Sequence, residues 1–158
     1  MSVQAKRRAD YQPPAFSIAT VDLHITLHPT QTKVISTLSV TRNGVHDTPL
    51  VLDGDNLSLD SIYINGTYLS DNEYTVTDSA LSVVTELDEF VIEITNTIAP
   101  EHNKALEGLY LSGGAYCTQC EAEGFRRITY FMDRPDVLSV YTVTVVADKS
   151  VPMLLANG

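Results

Sequence analysis

The stretch Val21-Asp-Leu-His-Ile-Thr-Leu-His28 decides the fold class of this chain. Apolar side chains alternate with polar or charged ones along its whole length. Because successive side chains of a strand point to opposite faces of a sheet, this alternation predicts a β-strand with one buried face. Phe16 and Ile18 continue the alternation upstream, but in the opposite phase. A β-bulge near Ala19-Thr20 would bring both parts onto one face.

Outward from this strand, the same period of two recurs in short runs separated by turn residues. Val34–Val40 follows a turn at Pro29, and Ile62–Leu69 is predicted to form a hairpin. Its Asn65-Gly66 pair fits a type I′ turn, in which both residues need positive φ. Further strands are predicted over 74–76, 81–84, 90–94 and 139–146. Short strands with turn signals between them predict an all-β fold, an antiparallel β-sandwich or a related curved sheet.

We expect residues 1–158 to form a single domain. A chain of this length can bury roughly 70% of its unfolded surface, which is enough for a hydrophobic core. Residues 1–15 are predicted to be an extended arm. Residues 100–138 are predicted to be one long irregular segment, with one or two helical turns over Asn103–Leu109. Because loops held by a rigid sheet often carry function, this segment is the candidate site.

Charge and composition exclude several classes of partner. The formal net charge is -10, whereas binding to nucleic acid needs clustered Lys and Arg. The basic cluster Lys6-Arg7-Arg8 is short and is interpreted as a solvated tail. No apolar run approaches the roughly 18 residues of a membrane span, and the N-terminus lacks the apolar region of a secretory signal. We therefore expect a cytoplasmic protein with neither nucleic acid nor membrane as a partner.

The cysteines and histidines do not form a recognisable metal or redox motif. Cys117 and Cys120 have CxxC spacing, but a zinc site would need a second pair of ligands, and a thioredoxin-like site would need an α/β fold. We interpret them as two ordinary thiols. His24 and His28 share a strand face but would lie about 13 Å apart, which is too far for one ion. No catalytic residue and no metal ligand is predicted within this chain.

The run from Thr118 to Pro135 departs from the strand pattern because it concentrates acids and arginines. Glu121 and Glu123 would face one side about 7 Å apart if the segment were extended. Asp133-Arg134-Pro135 predicts a turn, since the residue before a proline is disfavoured in a helix. The arginines are expected to hold the loop by pairing with its acids. The arginines are Arg126, Arg127 and Arg134, and the acids are Glu121, Glu123 and Asp133. Pattern alone favours a solvated acidic loop.

The same run resembles a known family. Residues 106–149, which include Ala115–Arg126, are similar to the zinc aminopeptidases of the aminopeptidase N type, in their bacterial alanyl-aminopeptidase branch. In that family a Thr-Gln-x-Glu segment followed by Asp-x-Pro lies in a saddle-like N-terminal β domain. Thr118–Glu121 and Asp133–Pro135 match these two motifs. The earlier strands, Phe16–Ile98, fit the same domain less specifically.

The resemblance implies a zinc exopeptidase that releases single residues from the free N-termini of peptides. The zinc motif His-Glu-x-x-His does not occur in this sequence. We therefore expect the chain to be the first domain of a longer monomeric enzyme, inactive alone, with the zinc ligands in a downstream catalytic domain. Carried over residue by residue, Glu121 would recognise the α-amine of the substrate. Gln119 would line the first side-chain pocket.

A stand-alone β-sandwich binding module without catalysis is the alternative. Composition and strand pattern allow it equally well, and it predicts an apolar or aromatic binding patch. The family resemblance predicts instead an exposed apolar patch where a neighbouring domain docks. The expected members of that docking patch are Val151, Met153, Leu154 and Leu155.

Overall fold

The computed structural model describes residues 8–156, which form three β-sheets. In chain order the strands are β1 (Phe16–Thr26), β2 (Thr32–Arg42), β3 (Leu50–Asp53), β4 (Ser58–Ile64), β5 (Thr67–Tyr68), β6 (Tyr74–Val76), β7 (Ala80–Val83), β8 (Glu89–Ile98), β9 (Gly108–Ser112), β10 (Ala115–Gln119) and β11 (Val140–Val146). The helical residues described are three single 3₁₀ turns, Arg8–Asp10, Pro100–His102 and Phe125–Arg127. The predicted all-β class is confirmed.

The large sheet has six strands in the order β11-β1-β2-β8-β4-β5. Its central strands alternate buried and accessible residues, as the sequence pattern of β1 predicts. The register of β1 against β2 shifts between Ile18 and Thr20. This confirms the predicted bulge, which lets Phe16, Ile18 and Val21 all reach the core.

One edge of the large sheet is parallel rather than antiparallel. β11 pairs with β1 in parallel, from Thr20 opposite Val140 to Thr26 opposite Val146. The other pairings in the sheet are antiparallel. The long segment between β8 and β11 carries the chain to this edge. The position at which that segment ends therefore sets the direction in which β11 runs along β1.

The predicted hairpin at Asn65-Gly66 is confirmed. β4 and β5 pair with Ile64 opposite Thr67, which leaves these two residues as the turn. Their φ angles are 50° and 79°, the positive values that a type I′ turn requires.

A second layer is the three-stranded sheet β3-β7-β6. Strands β6 and β7 were predicted, whereas β3, at Leu50–Asp53, was not. Its residues Leu50 and Leu52 are nevertheless fully buried and pair with Val83 and Leu81 of β7.

Residues 100–138 were predicted to be irregular, and this is only partly correct. The segment contains the antiparallel hairpin β9–β10. The predicted helical turns over Asn103–Leu109 are wrong: the 3₁₀ turn lies earlier, at Pro100–His102, and β9 begins at Gly108. Asn103 instead holds an open loop, since its Nδ2 donates to the carbonyl oxygens of Glu107 and Leu109 at 2.7 and 3.0 Å.

The later part of this segment belongs to the core and joins the two layers. Five consecutive residues, Ile128 to Met132, are buried. The Thr129 hydroxyl lies 2.9 Å from the Ser36 hydroxyl of β2, and the Asn96 amide of β8 donates to the Ile128 carbonyl at 3.0 Å. Phe131 exchanges backbone hydrogen bonds with Asp53, at the end of β3. Ile128–Met132 has no regular strand structure, but it packs between the six-stranded and the three-stranded sheets.

The predicted extended arm, residues 1–15, lies partly outside the described residues. Within the described part, Arg8–Asp10 form a 3₁₀ turn, which differs from an extended chain. Arg134 donates to the Gln12 carbonyl at 2.9 Å and so ties the arm to the Asp133-Arg134-Pro135 turn.

Candidate functional site

The hairpin β9–β10 places Gln119 at the start of the candidate site. The two strands are joined by Gly113-Gly114, whose φ angles are 56° and 84°. Gln119 is the last residue of β10 and pairs with Gly108, the first residue of β9. Two positive φ values at a tight turn explain the glycine pair, because other residues rarely adopt them.

Glu121 lies on a turn over residues 121–124, directly after β10. The segment is therefore not extended, and the shared face that an extended segment would give Glu121 and Glu123 does not apply. The Gln119 side chain folds toward the turn, and its Nε2 donates to the Glu121 carbonyl oxygen at 3.2 Å. The side chains of Gln119 and Glu121 are exposed. The structure thus brings the two predicted site residues together at one end of the hairpin.

The turn packs closely against β10 through glycine. A Cβ atom on Gly124 would lie 2.7 Å from the Gln119 carbonyl oxygen and 2.9 Å from Cys120 Cα. Gly108 has φ 69°, and a Cβ there would lie 2.6 Å from Arg127 Cβ. Neither position has room for a side chain, so the backbone of the turn rests directly on the hairpin.

Asp133 holds the C-terminal end of the turn through hydrogen bonds. Its Oδ2 accepts hydrogen bonds from the Gly124 N–H at 3.1 Å, the Arg126 N–H at 3.2 Å and Arg126 Nε at 2.9 Å. Arg126 Nη2 also donates to the Asp133 carbonyl oxygen at 3.0 Å. The Asp133 N–H donates to Asp53 Oδ2 at 3.0 Å, which links the site to the end of β3.

Arg126 is the ion-pair centre of the site. It lies 2.9 Å from Asp133 and 3.1 Å from Glu123, as predicted, and 3.9 Å from Asp53. Burial lowers the pKa of the Arg126 guanidinium, but its hydrogen bond to Asp133 and the charges of Asp53, Asp133 and Glu123 outweigh burial and raise it. The guanidinium is therefore a permanent cation of the site.

The other two arginines pair differently from the prediction. Arg127 lies 2.6 Å from Asp55 and 3.2 Å from Glu107. Arg134 pairs with Asp136 at 2.7 Å. Asp53, Asp55 and Glu107 were missed as partners because they are distant in the sequence; the clustered arginines showed only that partners were needed.

Within residues 8–156, the Glu121 carboxylate takes part in no ion pair. It is an exposed anion on a backbone that Gln119, Gly124 and Asp133 hold in place. A carboxylate of this kind can accept hydrogen bonds from a cationic ligand such as an ammonium group.

The cysteines and histidines are not assembled into a metal site in the part of the chain that is described. No group of three or more His, Cys, Asp or Glu side chains among those residues is arranged to hold a metal ion. Cys117 and Cys120 are free thiols, both partly buried. In the same residues, none of the helices is long and apolar enough to cross a membrane.

An apolar groove of about 940 Å³ lies beside β10. Tyr116 and Thr118 of β10 line it, together with the chain end from Val151 to Leu155. Of the expected docking patch, Met153, Leu154 and Leu155 are exposed, with Leu155 at 87%, whereas Val151 is half-buried.

Comparison with known proteins identifies the family. The family model described as Peptidase M1 N-terminal domain matches residues 15–158. The chain belongs to this family. As an M1 N-terminal domain it carries the Glu121 turn inside the matched range.

Similar proteins are considerably longer than this M1 N-terminal domain. It is 53% identical over 155 residues to an aminopeptidase N of Caulobacter vibrioides and 45% identical over 159 residues to that of Escherichia coli. Each match covers 98% of this chain but 18% of the relative. The crystal structure of Legionella pneumophila aminopeptidase A in complex with aspartic acid matches with a TM-score of 0.88 and 35% identity, over 97% of this chain and 18% of that one.

Proposed function

We propose that this chain is the substrate-recognising N-terminal domain of a zinc aminopeptidase, which releases N-terminal amino acids from peptides. In this proposal Glu121 binds the α-ammonium group of the substrate, and Gln119 forms part of the pocket for the first side chain. The observation that carries the proposal is the exposed Glu121 carboxylate, without an ion-pair partner in residues 8–156, on a turn held at both ends.

The charge of the α-amine explains why a carboxylate suits this role. An α-amine has a pKa of about 7.7–8.0, so most of it is ammonium at neutral pH. An internal peptide nitrogen carries no charge. Opposite charges about 4 Å apart attract by roughly 4 kcal/mol at an effective dielectric near 20, against about 1 kcal/mol in bulk water. A carboxylate in a partly closed site therefore distinguishes a free N-terminus from an internal amide.

The fixed position of Gln119 supports its part in the proposal. Its Nε2 is engaged by the Glu121 carbonyl, which leaves the amide oxygen to accept a hydrogen bond from a ligand. Aspartic acid, the ligand of the Legionella relative, carries the α-ammonium group that the Glu121 carboxylate would bind.

The zinc ion and the reacting groups would come from a downstream domain of the same polypeptide. A bound zinc supplies Lewis-acid polarisation of the scissile carbonyl and an activated water. In this chain, Glu121 and Gln119 bind and orient the N-terminal residue. The groove beside β10 and the exposed Met153, Leu154 and Leu155 would form the contact with that domain.

The expected monomeric state and cytoplasmic location remain proposals. The alternative of a stand-alone β-sandwich binding module draws no support from the comparisons, because the relatives named above are aminopeptidases of which this chain spans 18%.

The substitution Glu121→Gln in the full-length enzyme tests the role of Glu121. The amide keeps the shape of the side chain and removes its charge, so kcat/KM for a peptide should fall about ten- to a hundredfold, the loss of one charged hydrogen bond of about 1.5–3 kcal/mol. Glu123→Gln is the matched control. Glu123 is an exposed acid of the same turn that already pairs with Arg126, so its loss should change kcat/KM about twofold or less. Equal effects of the two substitutions would contradict the proposal.

A further inference from the structure

Asp133 differs from the other acids of the site because it binds the backbone of the Glu121 turn. Three N–H groups converge on its Oδ2, two of them from the backbone of Gly124 and Arg126. Its side chain is 11% exposed, against 52% for Glu123. A nearly buried carboxylate that accepts several N–H groups is both strongly held and costly to replace.

We propose that Asp133 is a positioning residue that sets the location of the Glu121 carboxylate for substrate binding. This inference rests on the proposed function of Glu121. Asp133 does not touch the substrate in this scheme. It holds Gly124, the last residue of the turn, while Gln119 holds the carbonyl of Glu121, at the first residue of the turn.

Charge makes an aspartate better suited to this task than a neutral side chain. Hydrogen bonds from N–H groups to a carboxylate are roughly twice as strong as those to a neutral amide. Arg126 completes the anchor, because its Nε donates to the side chain of Asp133 and its Nη2 to the Asp133 carbonyl. The Asp133 N–H is held in turn by Asp53 of β3, so the anchor extends into the three-stranded sheet.

The stretch Asp133–Asp136 provides a matched control. Asp136 lies three positions after Asp133, and it pairs with Arg134 through both carboxylate oxygens at 2.9 and 2.7 Å. In the described part of the chain, the Asp136 side chain makes no hydrogen bond to residues 121–124. Asp136→Asn therefore removes one carboxylate from the same Asp-Arg-Pro-Asp stretch without removing a bond to the Glu121 turn.

The experiment is a double-mutant cycle in the full-length enzyme with Asp133→Asn, Glu121→Gln and the double variant. Asp133→Asn should lower kcat/KM about five- to twentyfold, mainly through a higher KM, because the two backbone N–H groups lose a charged acceptor. If Asp133 acts through Glu121, the double variant should stay within about threefold of Glu121→Gln alone. Asp136→Asn should change kcat/KM about twofold or less.

A purely structural role predicts a different pattern. The losses from Asp133→Asn and Glu121→Gln would then multiply in the double variant, and this result would overturn the positioning role. An unchanged kcat/KM in Asp133→Asn, beside a clear loss in Glu121→Gln, would also overturn it while leaving the proposed function intact. An unchanged kcat/KM in Glu121→Gln would instead remove the proposed function and the inference together.

A second variant keeps the test decisive if Asp133→Asn fails to fold. Arg126→Lys leaves Asp133 and the backbone N–H groups of residues 124 and 126 in place. It removes the hydrogen bonds that the guanidinium Nε and Nη2 donate to Asp133. It should raise KM less than tenfold, and the rise should vanish in the Glu121→Gln background. Hydrogen exchange of the peptide covering residues 119–127 should be faster in Arg126→Lys than in the unsubstituted enzyme. Unchanged exchange with unchanged KM would overturn the proposal.

Discussion

Cys120 lies at the junction between β10 and the Glu121 turn, where Gly124 packs against its Cα atom. Burial, and then the charge of Asp133, raise the pKa of its thiol above the ordinary value. A raised pKa means that the folded protein favours the protonated thiol. The resulting contribution to stability is fully present below the pKa of the unfolded thiol and is lost as the pH rises through that of the folded one.

This shift predicts slow alkylation of Cys120 in the folded chain, because the thiolate is the reacting form. In a Cys117→Ser variant, in which Cys120 is the remaining cysteine of this chain, iodoacetamide at pH 8 should react more slowly with the folded than with the urea-unfolded variant. The rate in the folded chain should still be rising at a pH at which that of the unfolded chain has levelled off. Equal rates in the two states would contradict the prediction.

At the scale of the element, the β4–β5 hairpin shows how two residues set a strand pairing. Asn65 and Gly66 supply the positive φ angles, and Asn65 also joins the turn to β8. Its N–H donates to the Val91 carbonyl, and its Oδ1 accepts the Val91 N–H, both at 2.9 Å. The turn therefore fixes the register within the hairpin and against the neighbouring strand.

Gly66→Ala should lower the free energy of unfolding of the chain by about 1–2 kcal/mol. No atom lies within 4 Å of a Cβ built at Gly66, so the cost is backbone strain at φ 79° rather than a clash. The measurement is urea denaturation followed by circular dichroism. Thr67→Ala, at the adjacent exposed position, is the control and should cost about 0.5 kcal/mol or less. A Gly66→Ala variant as stable as this control would contradict the assigned turn.

At the scale of the whole molecule, Ile128–Met132 joins the two layers and carries the site with it. The Tyr130 ring lies directly against Gly54, where a Cβ would come within 2.4 Å of its Cε1 atom. Phe131 bonds to Asp53, and Asp53 in turn accepts the N–H of Asp133. A continuous set of hydrogen bonds therefore connects the core at Phe131 to the Glu121 turn.

Tyr130→Ala should lower the free energy of unfolding by about 3–5 kcal/mol, the cost of removing a large buried aromatic side chain. Tyr130 is 2% exposed, whereas Tyr68 is 53% exposed. Tyr68→Ala is therefore the matched control and should cost about 1 kcal/mol, mainly its edge contact with the Tyr63 ring. Urea denaturation of the unsubstituted chain and of the two variants measures both costs. Similar midpoints for the two variants would show that residues 128–132 do not join the two layers.

The sequence by itself determined the features that depend on neighbouring residues. The alternation of β1, the bulge before Thr20, the Asn65-Gly66 turn and the position of the Glu121 segment between strands were all predicted, because the side-chain period and turn dihedrals are local properties. The family resemblance of residues 106–149 could also be predicted from the sequence, since it depends on the order of residue types.

Only the tertiary structure decided how distant segments meet. It made β11 a parallel edge strand, turned Ile128–Met132 into core and gave Arg127 the partners Asp55 and Glu107. The Asp133–Asp53 link spans 80 positions in the sequence. Local pattern says nothing about such contacts, because they follow from how the two layers bury their apolar faces against each other and satisfy the polar groups between them.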